Sequence, residues 1–216
     1  HMYPGTRAFL RFEYPSTLPA ALQARLAAVA EQAVRAVGLD HGLFNVELAY
    51  CPATDAIRLI EINPRVASQF ITLYEWVHGI RLQEAMLDLA LGRAPRIAPA
   101  PQRNRHAASF VFRLFGGRAD VAMPRAEQLA RVAQRHPEAR VMLYLKRGAE
   151  LARELKWLGS YRYALVNVPA RDRAELYARH REIAAILGFD DGGHADLLGA
   201  GAADPGRFAR DATHLH

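Results

Sequence analysis

Glu47 and Glu61 are the residues of this 216-residue chain whose type and spacing point most directly to chemistry. Strict alternation along Leu43 to Tyr50 puts Asn45, Glu47 and Ala49 on one face of a strand, and Phe44, Val46, Leu48 and Tyr50 on the other. Along Ile57 to Asn63 the same rule groups Ile57, Leu59, Glu61 and Asn63 against Arg58, Ile60 and Ile62. The residues between the two runs, Cys51 to Ala56, have the composition of a hairpin loop. A hairpin centred on Thr54 sets Glu47 opposite Glu61 and Asn45 opposite Asn63.

Two carboxylates in that position repel. Directly opposed side chains start only ~5 Å apart at Cβ, and at an effective dielectric of ~20 the repulsion of a bare pair is roughly 3 kcal/mol. A hard divalent cation offsets it, because carboxylate and amide oxygens are the protein ligands that magnesium or manganese takes, with phosphate and water completing the shell. The expected metal ligands are therefore Glu47, Glu61 and Asn63. Arg65 follows at once, and its planar fork suits a phosphate or carboxylate that develops charge beside the metal. The plainer alternative is a solvated sheet face on which each glutamate meets an arginine. It fits a lone glutamate better than it fits two in register, each with an asparagine two residues away.

The elements around the hairpin can be read from periodicity. A strand is predicted over 7–14 and stopped by Pro15. Ser16 or Thr17 then caps a helix with Pro19 in its first turn, carrying Leu22, Leu26, Val29, Ala33, Val34 and Val37 at helical spacing and ending at Gly38. After the hairpin, helices are predicted over Val66–His78 and Leu82–Leu91, closed by Gly79 and Gly92. Prolines at 95, 99 and 101 mark 93–105 as a connector. Beyond it come strands over 107–115, 140–146 and 161–168 and helices over 124–135 and 171–187. The expected fold class is α+β, with a catalytic-domain portion over 3–95, a smaller α+β lobe over 105–189 and a flexible tail over 190–216.

Composition narrows the function classes. Half of the residues are hydrophobic and about a quarter charged, as in an ordinary globular protein. The net charge of +6 is spread without a dense basic run, which argues against nucleic acid. Charges break every apolar stretch well before the ~20 residues a membrane helix needs, so no membrane partner and a cytoplasmic location are expected. Cys51 is the only cysteine, which rules out an internal disulfide and a thiolate cluster. His1 and Met2 read as a vector-derived start, and the immediate entry into structure as a cut from something longer. His41 reads as a surface or capping residue, Tyr74 and Trp76 as packing, and His194, His214 and His216 as too sparse to hold a metal.

Gly42-Leu43-Phe44-Asn45-Val46-Glu47 and Leu59-Ile60-Glu61-Ile62-Asn63-Pro64-Arg65 resemble the metal-binding strands of the ATP-grasp superfamily of ligases and carboxylases. The likeness covers roughly residues 7 to 95. It implies that Glu47, Glu61 and Asn63 hold the ions that bridge the phosphates of ATP, and that Arg65 assists the phosphorylated or carboxylated intermediate. It also implies an upstream half, with lysines and a glycine-rich flap that enclose the nucleotide. No such segment precedes Glu47, and the only lysines, Lys146 and Lys156, lie downstream.

The expected function is thus a share of a carboxylate–amine ligase: magnesium and ATP form an acyl phosphate on a small-molecule carboxylate, and an amine attacks it. The chain alone is expected to be inactive without the N-terminal part of the enzyme. Biotin-carboxylase-like activation of bicarbonate uses the same metal pair and stays open. So does a non-catalytic module whose second lobe and apolar helices serve homodimerisation, the carboxylates being relics or a structural metal site.

Overall fold

The computed structural model describes residues 1–3, 5–6, 8–115, 123–144 and 146–189, so the expected tail over 190–216 and its histidines lie outside the described residues. The chain is α+β with antiparallel sheets and divides into two compact units that interleave along the sequence. One unit takes residues 16–71 and 80–98, and the other 1–15, 72–79 and 99–189.

The first unit is built on a two-stranded sheet, β2 (Asn45–Cys51) with β3 (Ala56–Asn63), against which α1 (Ala20–Ala36) packs. Leu22 and Val34, expected on the apolar stripe of α1, are its buried residues. Pro19 is the N-cap rather than a first-turn residue, and no side chain caps the helix. Ser16 Oγ accepts from the Leu18 amide instead, two residues on, which satisfies a turn and leaves the helix start to the proline's fixed φ. Gly38, at φ 72°, supplies the left-handed turn that ends this stretch. Arg25 on α1 donates to Asp55 in the hairpin loop at 2.8 Å, and Tyr50 Oη donates to the same carboxylate at 2.9 Å.

The helix expected over Val66–His78 is shorter. Ala67 has an extended backbone, so a 3-10 turn over Ser68–Phe70 comes first and α2 spans Ile71–His78. The helix α3 (Leu82–Ala90) follows, and Asp88 on it is buried. The Arg96 amide and its Nε both donate to Asp88 Oδ2, at 3.2 and 2.9 Å, so the proline-rich connector is latched to α3 rather than loose. That bond also holds the Asp88 carboxyl below its ordinary pKa.

The second unit carries a four-stranded antiparallel sheet in the order β1 (Arg11–Tyr14), β4 (His106–Phe115), β6 (Ser160–Ala170), β5 (Arg140–Leu143). Its core is formed by alternate residues of the long central strands, among them Phe110, Phe112, Val166 and Val168, beneath α4 (Ala126–Arg135), α5 (Gly148–Leu158) and α6 (Arg173–Leu187). Asp172 caps α6 by accepting from the Glu175 amide at 2.8 Å. The strand expected over 140–146 stops at Leu143, and α5 was not anticipated. Its Leu151 and Leu155 sit one helical turn apart against the core, a pattern obscured by the charged residues around them.

Candidate metal and phosphate site

The hairpin sets Glu47 directly opposite Glu61, Asn45 opposite Asn63 and Val46 opposite Ile62, as the pattern predicts. It reaches that register by a route the alternation rule did not foresee. From Leu48 onward the partners are Leu59, Arg58 and Ile57, so Ile60 is an extra residue that bulges out of β3 between Leu59 and Glu61. Glu61 and Asn63 therefore share the face of Glu47 and Asn45, while Ile57 and Leu59 lie on the face of Tyr50 and Leu48. The grouping of Ile57 and Leu59 with Glu61 is corrected accordingly. The reason is local: a loop of four residues between Cys51 and Ala56 fixes a register one step away from the one that aligns the glutamates, and the bulge makes up the difference.

On that face the three downstream residues form a chain. Asn63 Nδ2 donates to Glu61 Oε1 at 2.6 Å, and Arg65 Nη2 donates to Asn63 Oδ1 at 3.3 Å. Each carbonyl or carboxylate oxygen is thereby aimed by the next residue along the strand end. The Arg65 amide also donates to the Asn63 carbonyl at 2.7 Å, a tight turn that brings the guanidinium back over the asparagine. Residue spacing alone suggested a shared face but not this relay, whose signal was the i, i+2, i+4 placement of Glu61, Asn63 and Arg65.

The electrostatics match the geometry. Glu47 is half-buried, and its carboxyl is pushed above the ordinary value of 4.5, first by burial, then by the Glu61 charge and by a hydrogen bond between the two carboxyls. Two opposed carboxyls form a ready pair of oxygen donors for a divalent cation. Among the described residues no group of three or more His, Cys, Asp or Glu side chains could hold a metal. Glu47, Glu61 and the Asn63 amide would thus supply a partial oxygen shell, which fits magnesium completed by phosphate and water better than zinc or calcium in a full protein cage. His41, in the turn before β2, is exposed. Tyr74 on α2 packs edge-on against Tyr14 of β1 at 4.9 Å, within the second unit. No described helix is long and apolar enough to cross a membrane.

The α+β fold is shared with solved chains, and one stretch of the sequence with a curated protein. Over 94 residues the chain is 46% identical to carnosine synthase 1 of Gallus gallus, a match that takes in 41% of this chain and 10% of that protein. Among solved structures it resembles an L-amino acid ligase from Bacillus licheniformis, with a TM-score of 0.59 and 18% identity over 82% of this chain and 45% of that one. It also resembles the carboxyaminoimidazole ribonucleotide synthase of Aspergillus clavatus, solved with ATP, with a TM-score of 0.56 and 20% identity over 83% and 43% of the two chains. No family model matches. The chain spans about a tenth of the curated relative and under half of these solved chains.

Proposed function

We propose that the chain carries the metal-holding and intermediate-stabilising part of an ATP-dependent carboxylate–amine ligase. The observation that carries this reading is the direct opposition of Glu47 and Glu61 on the face where Asn63 and Arg65 continue the polar line. Such a pair is a cost to the fold unless a cation joins it, and magnesium is the cation whose ligand habits match. Magnesium bound with ATP would neutralise phosphate charge during transfer. The chain's own residues do the rest: Glu47 and Glu61 fix the ion on one face, Asn63 orients Glu61, and Arg65 offers its fork to the oxyanion of an acyl phosphate before an amine attacks.

Two likenesses support this choice over bicarbonate activation. The stretch of 46% identity is to a protein named as a carnosine synthase, and one fold neighbour is named as an L-amino acid ligase. Amino acids are accordingly the substrate class we assign to both the carboxylate and the amine. The neighbours extend well beyond the matched region, so we assign nucleotide enclosure to a further part of the enzyme, and this chain alone does not turn over ATP. The test is an assay of the complete polypeptide with magnesium, ATP and amino acids, in which hydroxylamine traps an acyl phosphate. Formation of a hydroxamate that depends on the amino acid is expected. ATP turnover that depends on bicarbonate and not on an amino acid would contradict the reading, and turnover by this chain alone would contradict the division of labour.

A further inference from the structure

A second like-charge pair lies in the other unit, on different residues and independent of the metal reading. Arg113 of β4 and Arg162 of β6 are direct cross-strand partners at a bulge in which Tyr163 is the extra residue, so their side chains leave the sheet on the same face. Neither guanidinium forms an ion pair with a described carboxylate. The ionisable groups that act on Arg113 are Arg162 and Tyr3, and Tyr3 Oη is already committed to the Val111 carbonyl at 2.7 Å.

The arginines are held in place. Arg113 is half-buried, donates Nη1 to Ser160 Oγ at 2.9 Å, and has its Nε enclosed without an acceptor. The Arg162 guanidinium lies over the Tyr144 ring, 4.7 Å from its centroid, so one of its faces is covered and its N–H edge stays available. Burial and the Arg162 charge both press the Arg113 pKa below its ordinary value, a stress that an anion would relieve. The terminal Nη groups of Arg113 and the guanidinium of Arg162, with the Ser160 hydroxyl beside Arg113, form a donor array for a planar or tetrahedral oxyanion.

We propose that Arg113, Arg162 and Ser160 form a binding site for a small oxyanion, a phosphate or a carboxylate group. Binding is carried by the guanidinium forks and not by charge alone, because Arg162 is oriented by Tyr144 and Arg113 by Ser160.

Thermal unfolding of the chain in EDTA, with inorganic phosphate or acetate titrated against sodium chloride of matched ionic strength, tests this. Wild type is expected to show a saturable rise of roughly 2–4 °C. Arg162→Gln is expected to abolish it and Arg162→Lys to reduce it. A rise with phosphate alone assigns a phosphate-bearing ligand, and equal rises with both anions assign a carboxylate-tolerant site. No saturable rise with either anion, or a rise that persists in full in Arg162→Gln, overturns the proposal. Should Arg113→Gln fail to fold, the Arg162 variants still decide the outcome.

Discussion

Glu47 is where sequence and structure meet most directly. Its pairing with Glu61 was legible because alternation and a central turn residue give a register, and both glutamates kept that register. What could not be read was the upward push on the Glu47 carboxyl, whose first cause is how deeply that side chain sits. A carboxyl whose pKa is raised on folding binds its proton more tightly in the folded state. Its stabilising share is complete below the unfolded value of about 4.5 and is lost as pH rises through the raised folded value. Glu47→Gln removes that loss. Without metal at neutral pH it is expected to raise stability by about 0.5 kcal/mol, within the range for like charges opposed on a sheet, and the gain is expected to vanish below the unfolded pKa. Urea unfolding at both pH values checks this, and a variant less stable than wild type at neutral pH would mean that the pair is not under strain. Arg65→Lys keeps the charge and loses the fork. In the complete enzyme it is expected to lower kcat by roughly 10²-fold with magnesium binding unchanged, and an equal loss in metal affinity would move Arg65 from the intermediate to the ion.

The elements themselves were mostly visible, and the exceptions have physical causes. The long strands and α1 are written in periodic apolar residues that end at glycine or proline. The Ile60 bulge is not, since it arises from a mismatch between loop length and strand register that only three-dimensional pairing reveals. The place of β1 was also hidden. It pairs with β4, almost a hundred residues later, with Arg11 opposite Phe110. Its link to α6 is a buried charge cluster in which Arg11 Nε, 2.7 Å away, Arg173 Nη2, 3.0 Å away, and the Tyr177 hydroxyl all engage Glu13. Burial alone would push the Glu13 carboxyl up, but hydrogen bonds from His1, Tyr177 and Arg11 outweigh it and hold the carboxyl well below the usual range. A depressed carboxyl contributes stability that is present above the unfolded value of 4.5 and is lost as pH falls through the folded one. Glu13→Gln leaves Arg11, which is 1% exposed, without its counter-charge. It is expected to cost about 3 kcal/mol at neutral pH and to flatten the acid limb of the stability curve. Denaturant unfolding across the acid range measures both effects, and a cost no larger than that of a surface substitution would show that the cluster does not tie β1 to α6.

Along the sequence the two units interleave, the segments of the hairpin unit alternating with those of the four-stranded-sheet unit. Composition could not reveal that arrangement, because both units draw on the same apolar and arginine-rich vocabulary. The positive charge has a local use in the second unit, where arginines engage Glu13 and where Arg113 faces Arg162. The proposed chemistry depends above all on a divalent cation held by Glu47 and Glu61. Manganese titration of the chain followed by electron paramagnetic resonance tests it most directly, because the free aqueous ion has a sharp signal that fades on binding. Wild type is expected to deplete that signal with one site's stoichiometry, and Glu47→Gln/Glu61→Gln is expected to leave it at the level of buffer. Equal depletion by both proteins, or by neither, would contradict the account.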